Sequence, residues 1–186
     1  MEGLDDSSMS MKSLPEDSRA RFSIAGPEVT EAEILAVFLN PFPGRGDLVE
    51  FYLRHNGGSR DPQGCIIHCG NPAHKVTRDH LEKIRIECFL SISRNAEERM
   101  LPFAPMLRHR ASRLRTFANV PEMVAFLESH MPIAADHCGD DCWINLDTGR
   151  IQYMLWDSWK EGPIEIAASF GEFVTRYWIA EPIQMH

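Results

Sequence analysis

Cysteine and histidine residues fall into two groups that suggest a metal site. The groups are Cys65, His68 and Cys69, and then His137, Cys138 and Cys142. Thiolates and imidazoles are the usual zinc ligands. Cys65 and Cys69, however, belong to an apolar run typical of a strand, where ~3.3 Å per residue would place them roughly 13 Å apart. We therefore expect ordinary thiols, no bound metal and no cofactor, and keep a metal-dependent enzyme using the second group as one hypothesis.

Acidic residues form the second candidate site. Three aspartates crowd a loop around Gly139, but the further oxygen ligands and closing glutamate of a calcium-binding EF-hand are missing. The segment 156–161 adds two tryptophans and two more acids. Tryptophan is a frequent anchor of protein interfaces. We expect a partner-binding surface that consists of Asp136, Asp140, Asp141, Asp157, Trp159 and Glu161.

Familiar catalytic motifs are missing from the sequence. It contains no G-x-S-x-G nucleophile elbow, no phosphate-binding P-loop, no G-x-G-x-x-G dinucleotide motif and no H-E-x-x-H. The eight histidines are scattered, and none lies beside a recognisable nucleophile. The sequence therefore favours a binding protein over an enzyme.

Charge is unevenly distributed along the 186 residues. Nineteen basic residues stand against 27 acidic ones, which gives a net charge of -8. Residues 116–186 contain eleven acids and three bases and so account for the whole excess. The segment 108–115, by contrast, carries four arginines, which we expect on a solvated helix or loop, paired with neighbouring carboxylates. Such a chain is a poor ligand for nucleic acid or an anionic membrane and favours a basic protein partner.

The apolar runs, the first residues and the cysteine count indicate a compartment. No apolar run approaches the ~18 residues of a membrane span, and residues 1–6 are acidic, unlike a secretory signal. The five cysteines are an odd number and are expected to be reduced. We expect a cytoplasmic protein that is a monomer when free.

Helices are predicted where caps precede apolar residues at helical spacing. Capping boxes at Thr30–Glu33 and Ser169–Glu172 start the first and last helices. Asp47 is predicted to cap a second helix, which ends at 56–58, an Asn-Gly-Gly stop. Pro121 opens a third.

Strands are predicted by alternation and by short apolar runs. The segment 84–92 alternates with period two, although a helix running on from Leu81 is the main alternative. The third helix is expected to be followed by an apolar turn into the residues Met131–Ala134, which are not assigned to a strand. Two further strands, 143–146 and 151–156, are predicted to form a hairpin. The remaining predicted strands are 65–69 and 164–168.

This order of elements indicates an α+β fold. Leading helices, hairpin-linked strands and a closing helix predict a single domain with a mostly antiparallel sheet and helices packed around it. Residues 1–22 are polar, acidic and aperiodic, so we expect a disordered tail there. The domain is then 23–186.

Three stretches resemble the Smi/Knr-type domain of the SUKH superfamily. The first is a helix ending in Asn-Gly-Gly at 48–58, and the second is 131–151, with its acidic glycine loop between apolar segments. The third is 166–173, which enters the last helix. The resemblance covers about residues 27–180, with a long middle linker at 93–120 as a departure from the family pattern.

The resemblance implies an immunity protein that binds and neutralises a toxin delivered by a neighbouring bacterium. Such toxins are often nucleases, whose basic surfaces would complement the acidic C-terminal third of this chain. Fungal members of the superfamily regulate cell-wall glucan synthesis. They imply the alternative of a regulatory scaffold that binds an endogenous partner.

Overall fold

The structure is a computed structural model that describes residues 22–60, 65–68, 83–92, 105–136, 138–179 and 181–182. The elements in these ranges, in chain order, are β1 (Phe22–Ala25), α1 (Glu31–Val37), α2 (Arg45–His55), β2 (Gly58–Arg60), β3 (Cys65–His68), β4 (Lys83–Ile86), β5 (Cys88–Phe89), α3 (Met106–Thr116), α4 (Pro121–Ser129), β6 (His130–Ala135), β7 (Asp141–Asn145), β8 (Ile151–Met154), a 3-10 helix (Trp156–Glu161), β9 (Ile164–Ala167), α5 (Phe170–Ile179) and β10 (Glu181–Pro182).

The strands form two sheets. Seven of them pair in the order β1-β2-β5-β6-β7-β8-β9, and three pair as β10-β3-β4. Every pairing between these strands is antiparallel. The predicted α+β class with a mostly antiparallel sheet is confirmed.

The large sheet has two differently covered faces, because neighbouring residues of a strand point to opposite sides. In β7, Cys142 and Ile144 join the larger hydrophobic cluster, whereas Trp143 joins a smaller one. We call the side of Cys142 the first face; residues of α1, α2 and α5 pack in its cluster. The side of Trp143 is the second face, and α3, α4 and the 3-10 helix contribute to its cluster.

Helix α1 begins where predicted, and α2 does not. The Thr30 backbone N–H donates to the Glu33 carboxylate at 2.8 Å, completing the predicted capping box. Helix α2 starts earlier than predicted, because Gly44 takes a left-handed φ of 79° and is its N-cap. Asp47 therefore lies in the first helical turn, where an acid still complements the helix dipole.

The predicted end of α2 at Asn56-Gly57-Gly58 is confirmed, and the structure shows why a glycine is needed at position 57. Asn56 and Gly57 have φ values of 27° and 78°. A Cβ on Gly57 would lie 2.9 Å from the backbone of Ser91, so a side chain has no room there. The Asn56 side chain in turn accepts from the backbone N–H of Ile92 at 2.8 Å, which ties the helix end to the chain beyond β5.

The predicted strand 84–92 is two strands in different sheets. Strand β4 belongs to the small sheet and β5 to the large one, with Glu87 between them. Phe89 and Ser91 lie on the side of the alternation that also carries Arg85 and Glu87, yet both are buried. The alternation predicted a single strand with one apolar side, but the segment is covered on both sides once it enters the large sheet.

The residues Met131–Ala134, which were not predicted as a strand, lie inside β6 at the centre of the large sheet. Pro132 lacks a backbone N–H, and the register with β7 shifts between Pro132 and Ala134. The strand is buried on both faces, which gives a continuous apolar run without alternation.

The strands predicted after residue 140 and the last helix are confirmed. Strands β7 and β8 form the predicted hairpin, β9 follows, and Ser169 Oγ accepts from the Glu172 backbone N–H at 3.1 Å at the start of α5. Strand β1 begins at Phe22, the last residue of the segment predicted as a tail. Residues 1–21 lie outside the described part, so the tail stays a prediction. None of the described helices is long and apolar enough to cross a membrane.

Candidate functional site

The side chain of Asp141, at the start of β7, lies beneath the second face with no exposed surface. Its Oδ2 accepts from Trp156 Nε1 at 2.6 Å and from Arg113 Nη2 at 2.9 Å. Its Oδ1 lies 3.0 Å from His109 Nε2, without the alignment of a hydrogen bond. This Asp141 cluster joins α3, β7 and the 3-10 helix through one carboxylate.

Arg113 also makes contacts beyond the carboxylate. It donates to the carbonyl oxygen of Gly139, and its guanidinium carbon lies 4.2 Å from the centre of the Trp156 ring. Phe117, the C-cap residue of α3, stacks on Trp156 at 5.2 Å between ring centres. Helix α3 therefore fixes both the acidic loop around Gly139 and the start of the 3-10 helix.

The expected pairing of the arginines with carboxylates is thus confirmed for Arg113, but Arg110 behaves differently. It donates to the carbonyl oxygens of Leu127 and Glu128 at 2.6 and 2.7 Å, near the C-terminus of α4. Burial lowers the pKa of Arg110. Carbonyl groups at a helix end have no partner within the helix, so this contact caps α4 and docks α3 on it.

Two aspartates of the acidic loop hold the loop itself. Asp136 accepts from the backbone N–H of Asp140 at 2.9 Å and from the Tyr153 hydroxyl at 3.1 Å. Asp140 accepts from the backbone N–H of Trp156 at 3.0 Å. Burial, and then the charges of neighbouring aspartates, raise the pKa of Asp140 despite that hydrogen bond. Both side chains are half-buried and have structural partners.

An open groove lies between α4 and the end of the 3-10 helix. Its volume is about 290 Å³. Trp159 forms part of its wall and is held from behind by Phe117, edge to face at 5.7 Å between ring centres. Lys160 Nζ lies 5.7 Å from the centre of the Trp159 ring. The lining of this Trp159 groove consists of Glu122, Met123, Phe126, Met154, Trp159, Lys160, Gly162 and Pro163.

The six residues predicted to bind a partner thus occupy four kinds of environment. Asp157 and Glu161 are exposed on the 3-10 helix, and Trp159 lines the groove. Asp136 and Asp140 are half-buried in the adjoining loop. The expectation of one exposed surface needs a correction at Asp141, which is buried because Arg113, His109 and Trp156 surround its carboxylate. The five other positions stay a predicted surface.

Helix α3 supplies the site residues that the sequence analysis did not single out. His109 and Arg113 in α3 and Phe117 at its C-cap follow one another at intervals of four, the spacing of one helical face. That spacing was readable in the sequence. Their common partners, Asp141 and Trp156, were not, since they lie far along the chain.

The metal hypothesis gains no candidate site from the described residues. No group of three or more histidine, cysteine, aspartate or glutamate side chains in those ranges could hold an ion. Burial raises the pKa of the Cys88 thiol to about 12, so it is a protonated thiol at neutral pH. Cys69 and His137, which belonged to the two proposed ligand groups, lie outside the described residues. The expected absence of a metal stays a prediction.

Comparison with known proteins agrees with the resemblance seen in the sequence. The family model described as "SMI1 / KNR4 family (SUKH-1)" matches residues 46–176. No curated protein and no solved structure matches at a significant level. The matched range runs from α2 into α5 and includes both the Asp141 cluster and the Trp159 groove. Because it covers more than half of the sequence, the chain belongs to the SMI1 / KNR4 family (SUKH-1).

Proposed function

We propose that the protein is an immunity protein, which neutralises a cognate bacterial toxin by direct binding and is not an enzyme. One observation carries the proposal: Trp159 lines an open apolar groove on the same short helix as the exposed acids Asp157 and Glu161. Interfaces commonly combine a partly buried aromatic anchor with a polar rim. The toxin would be met in the cytoplasm.

The charge of the surface supports a basic partner such as a nuclease domain. Asp136 and Asp140 adjoin the 3-10 helix, and the acidic excess of the whole chain lies in residues 116–186. A nuclease needs a basic surface to hold phosphates, and opposite charge accelerates association of two proteins. An inhibitor bound to this basic surface would cover the substrate-binding face of the toxin.

The test is co-expression of the chain with the product of the adjacent gene. Rescue of the cells and a stoichiometric complex support the proposal. A harmless neighbour, or a toxic one without rescue, contradicts it. In that case, the second candidate, a regulatory scaffold that binds an endogenous protein through the same groove, takes its place.

Surface plasmon resonance on variants then tests the surface. We expect Trp159→Ala to accelerate dissociation and weaken binding by about 2 kcal/mol, as for a central anchor. Reversing the charges of Asp157 and Glu161 should mainly slow association and reduce its salt dependence. Leu39→Ala is the matched control, because Leu39 is an exposed apolar residue beside α1.

A further inference from the structure

The size and lining of the Trp159 groove indicate what it can take. Its volume of about 290 Å³ is at the lower end of small-molecule pockets and suits roughly one or two protein side chains. Its lining includes Met123 and Met154, which are both buried, and Phe126. Methionine side chains are flexible and polarisable, so such a surface adapts to apolar groups of different shape.

The charges around the groove are asymmetric. Glu122, in the first turn of α4, is exposed and belongs to the lining. Glu161 is also exposed and precedes Gly162 of the lining. Lys160, whose amine lies over Trp159, is the base in the lining. A cationic group entering beside Glu122 would therefore be attracted, whereas one placed over Trp159 would be repelled.

We propose that the groove recognises a segment of a partner protein with one large aliphatic or aromatic side chain flanked by lysine or arginine. The apolar side chain enters between Trp159 and Met123, and a flanking base meets Glu122. The inference rests on the proposed protein-binding function, and it adds to it the chemistry of the recognised segment. The acidic excess of residues 116–186 favours the same kind of segment over an acidic one.

Nuclear magnetic resonance with synthetic peptides tests the inference without the toxin. The probe is a short peptide in which one phenylalanine is flanked by lysines, added to the isotope-labelled full chain. One comparison peptide has glutamates in place of the lysines, and another has a serine in place of the phenylalanine. The indole N–H signal of Trp159, assigned with W159F, reports occupancy of the groove.

We expect the lysine-flanked apolar peptide to shift the Trp159 signal in a saturable way and both comparison peptides to shift it much less. Equal binding of the glutamate-flanked peptide would overturn the charge preference. Equal binding of the serine peptide would overturn the apolar anchor. No shift with the first peptide at millimolar concentration would overturn the proposal altogether.

Charge variants at exposed positions provide a second test that does not endanger folding. We expect E122K to weaken binding of the lysine-flanked peptide and K160E to strengthen it, each by about threefold at low salt, as for exposed charge pairs. E28K makes the same change in net charge in the loop after β1, at the opposite edge of the sheet from β9. It should leave affinity unchanged; an equal effect there would mean that net charge alone attracts the peptide.

The two proposals fail separately. Peptide binding without rescue from the toxin would contradict the immunity function and leave the groove as the recognition site of a scaffold. Rescue together with a Trp159 signal that no peptide moves would leave the immunity function standing and overturn the groove.

Discussion

The two faces of the seven-stranded sheet are built from different chemistry. The first face packs phenylalanines against one another among aliphatic side chains: Phe89 lies 4.8 Å from Phe51 and 5.8 Å from Phe173 between ring centres. The second face also buries Asp141, and the indole nitrogen of Trp143 has no hydrogen-bond partner among the described residues. Helices cover both faces, but on the second face a fully buried carboxylate pairs with an arginine of the covering helix.

This difference separates stability from positioning. Removing apolar area from water is the main favourable term in folding, and the first face supplies most of it. A buried ion pair gives little net stability, because its attraction must offset the cost of desolvating both charges. The Asp141 cluster has instead a geometric consequence, since it sets where Trp156, and thus the 3-10 helix with Trp159, lies on the sheet.

The largest expected effect is on the first face. Phe89→Ala leaves a cavity among aromatic rings and should lower the free energy of unfolding by about 3–5 kcal/mol. Urea denaturation measures the loss. If the faces are separate, the Trp159 indole signal of the folded variant should keep its position. If the Trp159 signal shifts as much as the signals of Phe51 and Phe173, which contact Phe89, the groove depends on the first face.

A slightly smaller loss is expected when the Asp141 cluster is broken. Asp141→Leu leaves the half-buried Arg113 without its carboxylate and should cost about 3 kcal/mol. Arg113→Leu removes the other charge, and the double variant should lose clearly less than the sum of the single losses. Asp157→Leu, at an exposed position, is the control and should stay within ~0.5 kcal/mol of the parent. Additive losses at Asp141 and Arg113 would mean that their contact has no energetic weight.

Local signals explain what the sequence could predict of the fold. The caps of α1 and α5, the stop after α2 and the β7–β8 hairpin all depend on residues within a few positions of one another. Strand β6 was not predicted, because a strand buried on both faces has no alternation and this one contains Pro132. The split of 84–92 escaped because only the tertiary structure decides which sheet each half joins.

The candidate site was predictable only where composition was enough. Trp159, Asp157 and Glu161 were found as an aromatic and acidic stretch, and the structure leaves them at the groove or on the surface. Asp141 shares that composition, but its partner Arg113 lies 28 residues away. A count of charges does not distinguish an aspartate that faces solvent from a buried one that pairs with an arginine.

The two tryptophans of the 3-10 helix should differ in their weight for stability. Trp156→Phe removes the indole N–H that donates to the buried Asp141 carboxylate, which should cost about 2 kcal/mol. Trp159→Phe keeps an aromatic ring at the groove and should cost less than ~1 kcal/mol, because only part of its packing is lost. Thermal or urea unfolding compares them. Equal losses would mean that the groove wall is as firmly packed as the Asp141 cluster.

The smallest effect concerns pH and the loop beside the second face. Burial and neighbouring aspartates raise the pKa of Asp140 in the folded state above its value in the unfolded chain. Folding therefore favours the protonated form of Asp140 over its carboxylate. The stability this provides is present below the ordinary aspartate pKa of ~3.9 and is lost as the pH rises through the higher folded-state value. Asp140→Asn stays neutral and keeps an oxygen for the Trp156 N–H, so it should stabilise the protein at pH 7 by less than ~1 kcal/mol, given its partial exposure. Urea unfolding at several pH values should show this gain fading towards pH ~3, where Asp140 is protonated too. Asp157→Asn, which removes an exposed charge, should gain less; an equal gain would assign the effect to net charge, and a loss at pH 7 would show that the loop needs the Asp140 carboxylate.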